Sequence, residues 1–169
     1  MWILQQSGEM NAQDIYTALH AVRDPEIPTI SVVDMGIITN VIVRTDDDVH
    51  VTMTPTFVGC PAIDYMRRDV EAAVKGLGVA NVTVDVTFDS PWTTNRITEA
   101  GKKALLQHGL APPEHFDTLT LNLEVLNNVA CPFCGSHNTD LKSPFGPTLC
   151  RSLHYCNACR QAFEGFKPV

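Results

Sequence analysis

The sequence predicts a small α+β domain followed by a module that a metal ion holds together. Helical and strand patterns alternate in the order helix–strand–strand–helix–strand–helix, which is typical of helices that cover one face of a three-stranded sheet. Two Cys-x-x-Cys pairs then fall within the last 39 residues. We place the two domains at residues 11–111 and 118–169, with the proline-rich stretch from Ala111 to Pro113 as the linker.

The composition supports a folded protein of the cytoplasm. Of the 169 residues 44% are hydrophobic, yet no apolar run approaches the roughly 18 residues of a membrane span. The first residues lack the basic start of a signal peptide, so a cytoplasmic location is the default. The six cysteines should therefore be reduced, and paired ones are expected to bind metal. A net charge of −7 argues against nucleic-acid binding.

The first helix is predicted from its cap and its apolar spacing. Asn11 can cap it, with Asp14 in the first turn. Apolar residues follow at helical spacing up to Val22. The sequence Asp24-Pro25-Glu26-Ile27-Pro28 must end the helix, because its two prolines remove backbone donors and restrict their neighbours.

A hairpin and a second helix come next. Residues 37–44 and 49–53 alternate as strands on either side of an aspartate-rich turn. Cys60-Pro61 is expected to open the second helix, because proline is favoured at the first helical position. The predicted buried stripe of this helix consists of Ile63, Met66, Val70, Ala73 and Leu77.

The remaining elements lead into the cysteine region. Alternation over residues 82–89, which includes Phe88, predicts a half-exposed strand. Residues 98–108 are expected to form a third helix closed by Gly109. A further strand is predicted around residues 119–126.

The cysteine module has the spacing of a structural metal site. Cys131 and Cys134 form one pair, 21 residues separate the pairs, and Cys156 and Cys159 form the other. Two such turns can complete a tetrahedron of sulfurs around one ion. The segment is too short to bury a sufficient core, so the metal should supply most of its folding free energy. We expect one zinc per chain, structural because four thiolates leave no open position, although a single iron also suits four sulfurs.

Three other residues of the module are candidate ligands. We interpret Cys150 as a small buried residue in a strand of the ribbon, in preference to a further metal ligand. His137 and His154 could ligate, but four thiolates already fill the shell. We therefore expect both histidines to be exposed.

Cys60 is the reactive candidate of the first domain. A thiol at a helix N-terminus would have its thiolate favoured by the helix dipole and the free N–H groups. It could be a nucleophile, a ligand of a metal or cluster, or an inert helix cap. A nucleophile would need a base, and His50 is the nearest candidate.

Two motifs of the first domain resemble the MIP18 (DUF59) family of iron–sulfur cluster assembly proteins. The first runs from Asp24-Pro25-Glu26 to Met35-Gly36, and the second from Thr54-Pro55-Thr56 to Gly59-Cys60-Pro61. The resemblance implies that Cys60 contacts a cluster or iron. It also implies that Asp24 and Glu26 form the family's acidic loop. From their positions near Cys60 in the sequence, we expect this loop, Thr54 and Thr56 to lie beside the thiol.

Further motifs between Pro91 and Lys167 make the resemblance specific to the PaaD family (also called PaaJ) of phenylacetate degradation. The additional motifs are Pro91-Trp92-Thr93-Thr94, the linker prolines, the two cysteine pairs, Phe145-Gly146 with Thr148 and Cys150, and Phe163 with Phe166-Lys167. The combined resemblance spans nearly the whole chain and implies a zinc ribbon at its end.

The family resemblance implies an accessory role without catalytic activity of its own. Such a protein would assist iron or iron–sulfur loading of the di-iron phenylacetyl-CoA 1,2-epoxidase, whose reductase component carries flavin and a [2Fe–2S] cluster. A homodimer would compensate for one thiolate per chain. The alternative is a structural component of the oxygenase complex that docks through the ribbon, with Phe145, Phe163 and Phe166 as anchors.

Overall fold

The computed structural model describes residues 9–115, 126–127 and 129–168. Within these residues, no helix has the length and apolar character that crossing a membrane requires. The strand predicted around residues 119–126 falls outside the described residues, apart from its last position.

The first domain is a three-stranded sheet with helices packed against it, which confirms the predicted fold class. The sheet order is β1-β2-β3, with β1 and β2 antiparallel and β2 and β3 parallel. The parallel pair requires a crossover, and α2 provides it. In chain order the elements are α1 (Ala12–Leu19), β1 (Ile38–Thr45), β2 (Asp48–Met53), α2 (Ile63–Lys75), β3 (Asn81–Val86) and α3 (Glu99–Gln107).

The first helix begins where its cap predicts. The Asn11 side chain accepts hydrogen bonds from the N–H groups of Gln13 and Asp14, and the Asp14 carboxylate accepts the N–H of Asn11. This reciprocal pair satisfies N–H groups that the helix itself leaves free. Ile15 and Leu19 are fully buried, so α1 packs its apolar face into the core.

The second helix begins later than predicted. Its first residue is Ile63, its N-cap is Ala62, and no side chain caps it. Pro61 is therefore not the first helical residue, and Cys60 lies in the turn that precedes the helix. The reason is local, because Gly59 adopts φ +85° and the N–H of Cys60 bonds to the Phe57 carbonyl.

Two predicted apolar positions of the first domain lie outside their elements. Leu77 is 41% exposed because α2 ends at Lys75, and the buried position on that face is taken by Val74. Phe88 is also exposed, since β3 ends two residues earlier.

Asp34 connects three separate segments of the first domain. Its carboxylate accepts hydrogen bonds from Ser31 Oγ at 2.7 Å and from Thr98 Oγ1 at 2.8 Å. Its carbonyl accepts the N–H of Thr98, the residue that caps α3. A Cβ atom on Gly101 would lie 2.5 Å from that carbonyl oxygen, so glycine allows α3 to approach this closely.

The ribbon forms a second sheet that continues into the first domain. Its strands are β5 (Thr139–Ser143), β6 (Arg151–Cys156) and β7 (Ala162–Phe166). The two-residue strand β4 (Leu110–Ala111) pairs parallel with β7, in the sheet order β4-β7-β6-β5. Ala111, assigned to the linker from the sequence, is thus a buried strand residue, while the boundaries at 111 and 118 stay a prediction.

Aromatic and polar contacts fix the ribbon against the first domain. Phe166, at the end of β7, is buried in the first domain's core with its ring 6.0 Å from that of Trp92. The indole N–H of Trp92 donates to the Met35 carbonyl at 3.0 Å. Arg151 reaches the Glu26 carbonyl at 3.3 Å. The two sheets therefore belong to one packed unit at this junction.

Asp34→Asn should destabilise the protein, and the effect should depend on pH. Burial raises the pKa of Asp34, but the hydrogen bonds from Ser31 and Thr98 outweigh it, so the pKa is lower than its ordinary value. The unfolded chain therefore takes up the proton first, and the stabilisation is complete above the unfolded pKa and disappears as pH falls through the folded one. We expect a loss of about 1–3 kcal/mol at pH 7, shrinking below about pH 4.

Urea unfolding of wild type and variant at pH 7 and pH 3 measures this difference. Asp69→Asn, at an exposed position of α2, is the matched control and should leave stability unchanged. An equal loss for Asp34→Asn at both pH values would contradict the role given to its charge.

Candidate functional site

The structure brings the four paired cysteines of the ribbon together. Their sulfur atoms all lie within 4.8 Å of one another. The Sγ atoms of Cys131 and Cys159 are 3.7 Å apart, and those of Cys134 and Cys156 are 3.6 Å apart. In the described part of the chain, no other group of three or more histidine, cysteine or carboxylate residues has this arrangement.

Two tight turns aim these sulfurs at one point. The N–H of Gly135 bonds to the Cys131 carbonyl, and the N–H of Arg160 bonds to the Cys156 carbonyl, each at 2.8 Å. Both donors have positive φ, +73° for Gly135 and +60° for Arg160. Glycine adopts this conformation without strain. Arginine does so rarely, and nothing in the sequence indicated it for Arg160.

The donor set fits a metal ion. The N–H of Cys159 lowers the pKa of the Cys156 thiol, whereas burial and the neighbouring sulfurs raise the pKa of Cys159. Four thiolates this close to one another repel, and a cation between them offsets that repulsion. Four thiolates in this arrangement complete a tetrahedral shell, so the cluster is a closed metal site without a position for substrate.

Cys60 lies in a half-buried turn and not at a helix terminus. Burial raises the pKa of its thiol, and although the N–H of Ala62 opposes this, the charges of Asp24, Cys150 and Glu26 raise it further. The prediction that a helix dipole favours the thiolate was wrong, because α2 begins three residues later.

Cys150 lies beside the first domain. It precedes β6, is half-buried, and packs against the core of the first domain. Its Sγ lies 3.1 Å from Thr148 Oγ1. The interpretation as a strand residue of the ribbon was wrong, because the strand begins at Arg151. Nothing in the cysteine spacing indicated that this residue packs against the first domain.

The two acids predicted for the site have different surroundings. Asp24 is buried, and its Oδ1 accepts the N–H groups of Glu26 at 2.7 Å and Ile27 at 3.0 Å. This turn fixes the carboxylate close enough to raise the pKa of both Cys60 and Cys150. Glu26 is exposed and contributes its carbonyl to Arg151.

The predicted threonines and the candidate base lie on or next to β2. Thr54 is 1% exposed, and its hydroxyl has no hydrogen-bond partner among the described residues. Thr56 is half-buried in the loop that follows. His50 Nε2 lies 2.8 Å from Asp85 Oδ2, across the β2–β3 pair. The base considered for Cys60 is therefore engaged elsewhere.

Several ribbon side chains are placed differently from expectation. His154 is 1% exposed, not exposed as predicted, with Nε2 at 2.8 Å from Ser152 Oγ and its ring stacked on Phe163. His137 is exposed, as expected. Phe163 and Phe166 are buried and cannot anchor a partner, whereas Phe145 is 67% exposed.

The chain matches two family models, one for each part. Residues 12–86 match an iron–sulfur cluster assembly protein, and residues 117–167 match the PaaD zinc beta ribbon domain. The two matches follow one another in the order of the two sheets.

Individual proteins show the same division. A protein of Escherichia coli described as a putative 1,2-phenylacetyl-CoA epoxidase subunit is 33% identical over 156 residues, covering 92% of each chain. An Fe-S protein maturation auxiliary factor of Porphyromonas gingivalis is 42% identical over 98 residues, covering 57% of this chain and 90% of its own. A solved DUF59 domain from Bacillus anthracis superposes with a TM-score of 0.52 at 29% identity, covering 55% of this chain and 89% of that one.

Cys131→Ser should remove the metal of the ribbon. Cys131 is 2% exposed, and serine is a poor ligand for a soft thiolate site. We expect the metal content to fall from about one ion per chain to near zero. Elemental analysis of protein purified without oxygen measures this change.

His137→Ala is the matched control, because this exposed histidine lies three residues after Cys134 and outside the four-sulfur cluster. It should keep the full metal content. Loss of metal from this variant would contradict a closed shell of four cysteines.

Proposed function

The chain belongs to the PaaD family, and we propose that it is an accessory protein of a phenylacetyl-CoA 1,2-epoxidase in aerobic phenylacetate degradation. Its role would be to help load iron or an iron–sulfur cluster into the oxygenase components, among them the reductase with flavin and a [2Fe–2S] cluster. Similarity over 92% of the chain to a putative epoxidase subunit supports the pathway. Similarity of the first domain to maturation factors supports the loading role.

The surroundings of Cys60 are the observation that carries this role. The thiol follows Gly59, around which an added Cβ would meet open space, so another molecule can approach it. Among the described residues, no basic side chain hydrogen-bonds to it. Burial raises the pKa of the thiol, and nearby negative charges raise it further. A nucleophile would need the opposite environment. A transient ligand that ionises only when a metal arrives fits these surroundings.

The ribbon has a structural role in this proposal. We assign zinc to its four thiolates, because the shell is closed and zinc needs no redox partner. Cysteines that bind metal must stay reduced, which supports the reducing cytoplasm as the place of action.

A structural role within the oxygenase complex is the second candidate. Phe145 and Leu149 are 67% and 60% exposed in the loop before β6, and exposed apolar side chains of this size favour protein contacts. Under this alternative the chain would stay in the purified active complex at fixed stoichiometry. Under the loading role it would be absent from that complex.

Cys60→Ser should abolish the accessory function and leave the fold intact. Serine preserves the size of the side chain but binds iron far more weakly than a thiolate. In cells that lack the wild-type gene, we expect the variant to restore less than about a tenth of the epoxidase activity, in line with the cost of losing a metal contact. The readouts are epoxidase activity and the iron and sulfide content of the purified reductase and oxygenase.

Val58→Ala, at the exposed position two residues before Cys60, is the control and should restore full activity. Normal cluster content and activity with Cys60→Ser would contradict the loading role. Retention of the chain in the active complex in that same case would favour the structural alternative.

A further inference from the structure

The β5–β6 loop (residues 144–150) exposes two large apolar side chains. Phe145 is 67% exposed and Leu149 is 60% exposed. Single exposed apolar residues are common on protein surfaces, so their exposure alone indicates little. This loop differs because hydrogen bonds fix its backbone and because an unpaired cation lies over the Phe145 ring.

Hydrogen bonds hold the backbone of the loop in place. The Ser143 hydroxyl accepts the N–H of Phe145 at 3.0 Å and donates to the Phe145 carbonyl at 2.8 Å. The N–H of Gly146 bonds to the Arg151 carbonyl at 2.8 Å, and the N–H of Arg151 bonds to the Thr148 carbonyl at 3.1 Å. The two apolar side chains therefore project from an ordered loop, and an ordered anchor loses little conformational entropy when it binds.

The loop is also attached to the end of β7 and to the first domain. The Cys150 carbonyl accepts the N–H of Lys167 at 2.8 Å. Arg151, which follows the loop, places Nη2 at 3.3 Å from the Glu26 carbonyl. A Cβ atom on Gly146 would lie 2.9 Å from the Cβ of Arg151, so glycine allows the loop to fold tightly onto β6. A partner bound to this loop would therefore lie beside the junction of the two domains.

Lys167 gives this surface an unpaired positive charge. Its Nζ lies 5.4 Å from the centre of the Phe145 ring. The two acidic residues that follow Cys131 in the sequence, Asp140 and Glu164, pair with other basic residues at 3.1 Å and 2.9 Å. Within the residues that the structure describes, no carboxylate forms an ion pair with Lys167.

We propose that the β5–β6 loop is a docking surface for an acidic, partly apolar segment of a protein partner. Phe145 and Leu149 contact apolar side chains of that segment, and the Lys167 ammonium pairs with one of its carboxylates. The inference rests on the proposed function, because the epoxidase components that the chain would serve are the source of the partner.

Charge favours a different, acidic protein over a second copy of the chain. Seventeen of the 19 acidic residues precede Cys131, and the net charge of the chain is −7. Two copies therefore repel each other, and an acidic partner is directed away from the first domain and towards the ribbon. A partner without carboxylates would leave the Lys167 charge unpaired where the interface excludes water, which costs free energy.

Binding of the purified epoxidase components to the full-length chain tests this surface. Each component is titrated separately by calorimetry, with the ribbon metal in place and at low and high salt. We expect one component to bind the wild type. Phe145→Ala and Leu149→Ala should each weaken binding at least about tenfold, as loss of a central anchor does at protein interfaces. Lys167→Glu should also weaken binding, and added salt should weaken the binding of this variant less than that of the wild type.

Phe88→Ala and Lys103→Glu are the matched controls, because they change an exposed phenylalanine and an exposed lysine of the first domain. Both should bind as tightly as the wild type. Retained ribbon metal shows that each loop variant has folded, and if one variant loses that metal the other two decide. Unchanged affinity of the folded loop variants would overturn the proposal, and so would a wild type that binds none of the components.

Sedimentation of the chain alone distinguishes a partner protein from a second copy. We expect Phe145→Ala to leave the oligomeric state of the chain unchanged. A wild-type dimer that dissociates in this variant would show that a second copy occupies the loop, and it would overturn the proposal.

The outcomes for the docking surface and for the loading function can be separated, because the loop variants keep Cys60. If Phe145→Ala loses binding while Cys60→Ser supports normal epoxidase activity in cells, the docking surface stands and the loading function is wrong. If Cys60→Ser abolishes activity while the loop variants bind as tightly as the wild type, the loading function stands and the docking surface is wrong.

Discussion

The mutual repulsion of four clustered thiolates is the constraint on which the rest of the structure depends. The sulfurs of Cys131, Cys134, Cys156 and Cys159 lie within 4.8 Å of one another, and this arrangement is stable in the ionised state only around a cation. Burial elsewhere in the ribbon is modest, so the ion replaces a hydrophobic core. The ion lies where β6 ends, at Cys156, and shortly before β7 begins, at Ala162.

Residues at the ends of β6 and β7 that lie away from the metal site link the ribbon to the first domain. Phe166 leaves β7 and enters the first domain's core against Trp92. Arg151 opens β6 and reaches the Glu26 carbonyl. Cys150, which precedes Arg151, packs against the core of the first domain. The ribbon that the metal organises is therefore attached to the first domain through the start of β6 and the end of β7.

Local features could be predicted from the sequence, but the contacts between the first domain and the ribbon could not. The cap at Asn11, the hairpin and the paired cysteines follow from local patterns and regular spacing. The start of α2 did not, because the positive φ of Gly59 delays the helix and Pro61 alone does not reveal this. The packing of Phe166 against Trp92 depends on a tertiary contact over 74 positions, which spacing does not encode.

Removal of the ribbon metal tests the central claim most directly. Hydrogen–deuterium exchange of the full-length chain is measured by mass spectrometry with the metal bound and after a chelator has removed it. We predict that removal of the metal increases exchange throughout β5, β6 and β7, whereas α2 and β3 of the first domain keep their protection. Unchanged protection of β5, β6 and β7 without the metal would contradict the account.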